Sequence, residues 1–422
     1  MEDGHVVIVG AGLGGLRAAE RLRAEGYGGS LTVIGAEAHL PYSRPPLSKE
    51  LLAQAGDLTL AQAHELVAFR HRGSIADVEF RLGSPAVAAD LAQGRLRLAD
   101  DALVAFDGLV IASGLRPRRL PIRRAPTVTG SHVLRDLDDS ITLRAALRPG
   151  ARVAIIGGGF IGCEVAGTAR QLGCEVTVVE ALGTPMGLIL GEELARAVQR
   201  SHEAGGIRFI TGQAVTAVAD AHGEGRPADA GAARSSAAAL ELASGELVPA
   251  DVIVEAAGSL PNVEWLAGNG LDLSNGVLCD NTLAVVRAAP DAGTLERVVA
   301  VGDIARFPNP RYDLGPRRIE HWSMPTDTAR RAAATLHAAL SGTPADPAPF
   351  APLPSFWSDQ LELRMWSYGA PAWGTRMTVV EGDLENLAGG LIAAYYRDDR
   401  HVGTVTVNVP PKRLRAVRDA LA

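Results

Sequence analysis

Two glycine-rich turns carry the first chemical signal in this chain: Gly10-Ala11-Gly12-Leu13-Gly14-Gly15 and Gly157-Gly158-Gly159-Phe160-Ile161-Gly162. Each has the spacing G-x-G-x-x-G, follows an apolar run (Val6 to Val9, Val153 to Ile156) and precedes a stretch of helical character. In such a turn the first glycine makes the tight bend, the second lets the backbone approach a pyrophosphate, and the third lets helix and strand pack closely. Gly10, Gly12 and Gly15 take these roles in the first copy, with Gly14 beside them; Gly157, Gly159 and Gly162 take them in the second. The helix N-terminus adds a partial positive charge of about half a unit toward the phosphates. One such motif is a weak sign, but two in the strand, turn, helix context point to two bound dinucleotides.

The strand after the second turn ends on an acid. Glu180, closing Val176-Thr177-Val178-Val179, is placed to bond both hydroxyls of an adenosine ribose and to repel a 2′-phosphate. No arginine stands between Ala181 and Gly187, so NADH is expected over NADPH. In the first copy the matching position falls at Ala36 and Glu37, which makes Glu37 the candidate ribose ligand.

These turns need parallel sheets to hold them. Val6–Val9, the helix to Arg23 and Leu31–Ile34 form one βαβ unit; a second opens at Arg152, with a helix through Leu172. The apolar run Gly108 to Ala112 leads to Ser113-Gly114, and Asp251 to Ala257 leads to Gly258-Ser259-Leu260-Pro261. A strand ending in a glycine turn brings backbone close to a dinucleotide or marks a domain crossing, so Gly258 joins the candidate NADH contacts. The fold class predicted is α/β, with two Rossmann-like dinucleotide-binding domains and a C-terminal α+β domain. The expected boundaries are 1–114 with 248–322 for the first domain, 115–247 for the second and 323–422 for the third. The last is read as a helix from Thr326 to Leu340, a Pro-rich connector, short strands such as Gly390–Tyr396 and Gly403–Val407, and a closing basic helix. Trp357, Trp366 and Trp373, near its start, read as core packing. The Gly/Ala/Ser-rich stretch 222–239 reads as a surface hairpin insertion.

Composition sets limits. A length of 422 residues exceeds one ordinary core and can bury a large cofactor. No segment approaches the roughly 18 uncharged apolar residues of a membrane span, and Met1 leads into Val6–Val9 without a basic stretch or cleavage site, so a cytoplasmic protein is expected. Three cysteines, Cys163, Cys174 and Cys279, are too few for a disulfide-stapled fold and form no close pair. A net charge of −7 argues against nucleic-acid binding and confines any basic partner surface to a local patch.

Leu40-Pro41-Tyr42-Ser43-Arg44-Pro45-Pro46-Leu47-Ser48-Lys49 resembles the N-terminal signature of the NADH–ferredoxin reductases of oxygenase-coupled electron-transfer systems. These are putidaredoxin reductase-like flavoproteins of the pyridine nucleotide-disulfide oxidoreductase superfamily; apoptosis-inducing-factor-like flavoproteins are more distant. Further matches are Ala112-Ser113-Gly114, Val133-Leu134-Arg135, Gly157 to Glu164, Val301-Gly302-Asp303, Glu320-His321-Trp322 and Phe356-Trp357-Ser358-Asp359-Gln360. The resemblance implies a glutathione reductase-like fold with FAD on the first domain and NADH on the second. It places Lys49 and Glu164 as a polar pair beside the flavin and Arg44 and Arg135 as FAD contacts. Asp303 falls on the ribityl chain and Trp322 against the isoalloxazine, with Ala86 and Gly114 among the FAD neighbours. A lysine such as Lys49 would stabilise the negative charge of a reduced flavin.

The chain departs from its relatives at three places. Ala36 stands where an acid is frequent, Ser323-Met324-Pro325 follows Trp322, and Leu182-Gly183-Thr184 follows Glu180 where an arginine is common. Disulfide reductases of this architecture need a redox-active cysteine near the flavin, and the corresponding stretch here is Tyr42-Ser43-Arg44. The expected acceptor is therefore a one-electron carrier, which the resemblance implies to be a [2Fe-2S] ferredoxin. Its acidic surface would meet Arg317 and Arg318, or the cluster Arg116, Arg118, Arg119, Arg123 and Arg124. An NADH oxidase or rubredoxin reductase-type flavoenzyme and an NADH-sensing signalling flavoprotein are the alternative readings.

Overall fold

The computed structural model describes residues 4–54, 58–70, 72–125, 131–220, 238–289, 293–312 and 314–421. The insertion expected at 222–239 lies outside the described residues up to position 237, and Ala238–Leu242 is strand. The chain divides into two compact units, Met1–Ser43 with Val67–Arg116 and Leu260–Phe356, and Arg44–Leu66 with Pro117–Ser259 and Trp357–Ala422.

The first unit is built on a six-stranded sheet in the order Ala284–Val286, Thr294–Ala300, Gly108–Ile111, His5–Val9, Ser30–Ile34, Glu79–Arg81. Val6 faces Leu31 on one side and Gly108 on the other, both in parallel register. The central strand is apolar along its length because both faces are covered, and Val6, Val7 and Ile8 are fully buried. Chain order reverses across His5–Val9, so the turn at Gly10 sits at a topological switch point, where open α/β sheets bind ligands. Helix Leu13–Ala24 packs on helix Met324–Ser341, and Leu16, Ala19, Ala329, Ala332 and Leu336 lie in one core. The sequence reading set the latter helix at the head of the third domain; its small alanine face instead fits closely into the first unit. Ala86 opens a separate three-stranded antiparallel sheet, Ala86–Asp90, Arg95–Leu98 and Leu103–Ala105.

The second unit repeats the scheme with a four-stranded parallel sheet, in the order Ile207–Thr211, Glu175–Glu180, Arg152–Ile156, Val252–Glu255. Val153 pairs with Val176 on one side and Val252 on the other, which puts the turn at Gly157 at a second switch point. An antiparallel sheet follows from Val215–Asp220, Ala238–Leu242 and Leu247–Ala250. Toward the C-terminus a five-stranded sheet, Ser355–Gln360, Leu363–Gly369, Arg400–Val407, Leu391–Arg397 and Arg376–Glu381, is followed by helix Pro411–Asp419. Among the described residues no helix is long and apolar enough to cross a membrane.

One packing detail makes a stability prediction. His202, on helix Glu192–Ala204, is fully buried against the Phe209 ring, and neither ring nitrogen has a hydrogen-bond partner among the described residues. Burial holds its pKa down, to about 4 from the model-compound value of 6.5. The unfolded chain therefore binds a proton that the folded chain refuses between these values, and stability falls as pH drops from 6.5 toward 4. The loss approaches about 3 kcal/mol at the lower end. Urea unfolding of His202→Phe should show a flatter pH dependence across that window than the parent; parallel curves would contradict the assignment.

Candidate functional site

The two glycine turns are built alike. Gly10 has a φ of +123° and Gly157 of +108°, in the region that favours glycine. A Cβ on Gly10 would lie 2.0 Å from the Ala112 carbonyl oxygen, and one on Gly157 would lie 2.4 Å from that of Ala256. At the third positions a Cβ would lie 1.8 Å from Gly10 O for Gly15 and 2.1 Å from Gly157 O for Gly162. These glycines are required by the fold. Gly12 and Gly159 differ, because a Cβ there would meet nothing within 4 Å. Both are helix N-caps without a side-chain hydrogen bond, and neither helix has an acid in its first turn. The open space faces uncapped N–H donors, and this fits a dinucleotide pyrophosphate at both turns.

In the first unit, Gly14 lies against Val301, just ahead of the short turn Gly302–Ile304 that carries Asp303. Gly302 N donates to Thr328 Oγ1 at 2.8 Å, which fixes this turn to the following helix. Glu37 accepts a hydrogen bond from Tyr42 Oη, and Ala36 is exposed. Gly114 adopts a φ of +61° and its carbonyl accepts from Asn262 N at 3.0 Å. Trp322 is 44% exposed, unusual for a large aromatic that has a core available.

In the second unit, Glu180 turns back onto its own glycine turn. Its Oε2 accepts from Gly158 N at 2.7 Å and its Oε1 from Leu182 N at 2.8 Å. Gly258 has a φ of +94° and its carbonyl accepts from Arg118 N at 2.9 Å. Arg44 Nη1 donates to the Arg135 carbonyl at 2.6 Å, which joins two of the expected FAD contacts.

Lys49 and Glu164 meet as a buried ion pair. The separation is 2.9 Å, with side-chain exposures of 10% and 5%. Lys49 sits between the 3-10 turn Pro45–Ser48 and the short helix Glu50–Ala53. These are pinned to helix Phe160–Gln171: Thr168 Oγ1 donates to Ser48 O at 2.7 Å, and Leu52 is buried with Val165, Ala166 and Ala169. Glu164 also accepts from Ser48 Oγ at 2.6 Å and Ser358 Oγ at 2.5 Å. Burial pushes the Glu164 carboxyl above its ordinary range, while Lys49 and the two hydroxyls oppose the rise. The Lys49 ammonium lies 5.8 Å from the centre of the Trp357 ring. The result is a dry cation–carboxylate pair that can hold charge, or a proton at Glu164, with little competition from water.

The profile of the pyridine nucleotide-disulphide oxidoreductases matches residues 4–332. This chain belongs to that family. It is 32% identical to rhodocoxin reductase of Rhodococcus erythropolis, over 97% of this chain and 88% of that protein. It is 34% identical to the ferredoxin–NAD(+) reductase component of the p-cumate 2,3-dioxygenase system of Pseudomonas putida, over 96% of this chain and 90% of that protein. Among solved structures, the covalent putidaredoxin reductase–putidaredoxin complex superposes with a TM-score of 0.83 at 28% identity, covering 99% of this chain and 93% of that one.

Cys163, Cys174 and Cys279 are all buried and unbridged, and burial drives the Cys163 and Cys279 thiols far above their usual range. None is a thiolate nucleophile at neutral pH.

The arginines are largely committed within the oxidoreductase itself. Arg119 and Arg124 both pair with the buried Glu255, at 3.1 and 2.8 Å, Arg123 pairs with Glu241 at 3.0 Å, and Arg116 with Glu264 at 2.5 Å. Burial would raise the Glu255 pKa, but Ser131, Leu120 N–H and the two arginines together hold it below the ordinary carboxylate range. Arg318, 10% exposed, reaches Glu320 at 2.9 Å, Asn275 at 2.7 Å and the Asp303 carbonyl at 3.0 Å. Its neighbour Arg317 is exposed.

Sequence reasoning did not single out Ser48 or Ser358 as partners of Glu164, although both stood inside matched motifs. It also did not connect Arg196 and Arg200 with the loop after Glu180. With Gly183, Thr184 and Thr211 they line an open cavity of about 400 Å³ after Glu180, but Arg196 is held by Glu192 and Arg200 by Glu385, each at 2.8 Å. A search confined to Ala181–Gly187 does not reach a helix that returns to the same loop.

Proposed function

We propose that this chain is an NADH-dependent FAD enzyme, a ferredoxin reductase that passes electrons from NADH through FAD to a [2Fe-2S] ferredoxin serving a monooxygenase or dioxygenase. The observation that carries the reading is the buried Lys49–Glu164 pair in a chain whose thiols are all buried and neutral. FAD supplies the capacity to take a hydride and give up its electrons singly. The proposed parts are 1–114 with 248–322 for FAD, 115–247 for NADH and 323–422 for the C-terminal domain, whose first helix, Met324–Ser341, packs into the core of the FAD-binding part.

The turn Gly10–Gly15, Glu37, Ala86, Gly114 and Asp303 hold the FAD, with Arg44 and Arg135 completing its contacts. Trp322 would pack against the isoalloxazine. Lys49 would stabilise negative charge at the reacting end of the flavin, and Glu164 would hold Lys49 in place. The turn at Gly157, Gly159 and Gly162, with Glu180 and Gly258, holds the NADH. These residues bind, orient and exclude water; none has to act as a nucleophile.

Partner recognition is proposed at Arg317, the more exposed of the two arginines expected at the docking surface. Arg317→Glu should slow reduction of an acidic ferredoxin steeply at low salt and leave NADH-driven dye reduction intact, since steering charges act chiefly on encounter. Arg318→Glu should instead lower the melting temperature by removing three internal contacts. The test compares initial rates with purified ferredoxin and with ferricyanide at two salt concentrations. Equal losses for both acceptors in Arg317→Glu would remove it from the docking surface.

A further inference from the structure

We propose that Gln360 is a positioning residue that couples the dinucleotide turn at Gly158 to the Lys49–Glu164 pair. The inference rests on reading that pair as the reactive site. Ser358 and Gln360 alternate with Asp359 on strand Ser355–Gln360, so both point to one face, and both are 1% exposed. Ser358 gives its single hydroxyl proton to Glu164 Oε1. It can therefore only accept from Gln360, whose Nε2 lies 2.9 Å away. The same nitrogen lies 3.5 Å from Met186 Sδ. This fixes the orientation of the amide and leaves Gln360 Oε1 buried without a hydrogen-bond donor among the described residues. A buried acceptor left unpaired is costly, and apolar packing would fill the same space without that cost.

The other end of the chain of contacts is strained. Met186 is buried with a φ of +58°, a conformation uncommon outside glycine. It is held there because its N–H donates to the Gly158 carbonyl at 2.9 Å. The segment beyond it is anchored by Tyr395 Oη, which donates to Leu190 O at 2.6 Å. Met186 thus bridges the glycine turn and Gln360, and Gln360 bridges Met186 and Ser358. A shift of the Gly158 carbonyl when a dinucleotide settles on the turn moves the sulfur against Gln360. It thereby changes how firmly Gln360 supports the Ser358 hydroxyl. Hydrogen bonds in such a series strengthen one another, so the effect reaches the Glu164 carboxylate. The charged group facing Glu164 is Lys49; the neighbouring Cys163 thiol is kept neutral by burial.

The experiment uses the FAD-loaded protein and its variants Gln360→Leu, Gln360→Glu, Ser358→Ala and the double variant Ser358→Ala with Gln360→Leu. Three quantities are measured: NAD+ affinity by equilibrium titration of the flavin spectrum, the pH profile of single-turnover reduction by NADH, and the melting temperature. Gln360→Leu and Ser358→Ala should each move the acid limb of the profile to higher pH, because each withdraws support from the carboxylate. Gln360→Leu should also weaken NAD+ binding several-fold. The double variant should move the limb no further than Ser358→Ala alone, since Gln360 acts through Ser358. Gln360→Glu preserves the volume and competes for the Ser358 proton, so it should move the limb upward even if the leucine variant folds poorly. Additive shifts, or a lowered melting temperature with an unmoved profile and unchanged NAD+ affinity, would reduce Gln360 to core packing. Wild-type protein that NADH fails to reduce would remove the reactive-site reading and the coupling together; wild type reduced normally beside unmoved variants would remove the coupling only.

Discussion

Valine at Gly12 or at Gly159 should give a folded protein that has lost one dinucleotide. Both positions have extended, negative-φ backbone (φ −89° at Gly12, −75° at Gly159), which any residue tolerates, and a Cβ there meets no protein atom. The added side chain occupies only the space in front of the uncapped helix. Gly12→Val should therefore purify with its flavin largely absent. Gly159→Val should keep its flavin and bind NADH at least about a hundredfold more weakly, equivalent to about 2.7 kcal/mol. Alanine at Gly15 or Gly162 is the contrasting case, since its Cβ would lie 1.8 or 2.1 Å from a backbone oxygen. These variants should lose stability by about 1–3 kcal/mol or more. Flavin absorbance per protein, NADH titration and thermal melts of the apoproteins separate the two classes. A Gly12→Val protein with full flavin content would mean that the open space is not the phosphate cradle.

Lys49→Met should have the second large effect, on both stability and chemistry. It keeps the length of the side chain and removes the cation that faces the buried Glu164 at 2.9 Å. Breaking a buried pair from one side typically costs about 3–5 kcal/mol, because the remaining charge has no counterpart. The carboxyl, which burial already pushes upward, escapes that cost by taking a proton. A raised folded-state pKa stabilises below the unfolded value of 4.5 and loses that contribution as pH rises through the folded value. The deficit of Lys49→Met relative to wild type should thus be small in acid and grow toward alkaline pH. Reduction by NADH should slow on the order of a hundredfold, the usual cost of removing one well-placed electrostatic stabiliser. Denaturant midpoints at several pH values and single-turnover rates check both parts.

The glycine turns were legible in the sequence because backbone geometry dictates them: where a Cβ would collide with a carbonyl oxygen, glycine must recur at a fixed spacing. The parallel sheets followed from apolar runs such as Val6–Val9, whose unbroken character reflects burial on both faces. The pairing of Lys49 with Glu164 has no such signature, since the residues are brought together by the docking of Leu52 and Ser48 on a distant helix. Only resemblance suggested it. Charge counting also misled in part. A run of arginines after Gly114 looks like a basic field, yet Glu255, Glu264 and Glu241 neutralise most of it through contacts that composition does not reveal. Helix Met324–Ser341 was visible in its periodicity, but the sheet that it covers was not, because an alanine-rich face fits several surfaces equally well.

The central claim is that the turn at Gly10 holds FAD and the turn at Gly157 holds NADH. The direct measurement is the visible spectrum of the purified protein during anaerobic addition of NADH, with NADPH added to a separate sample. The account predicts flavin bands that bleach with NADH and hardly change with NADPH. A protein that carries and accepts no flavin, or whose flavin bands ignore NADH, would contradict it.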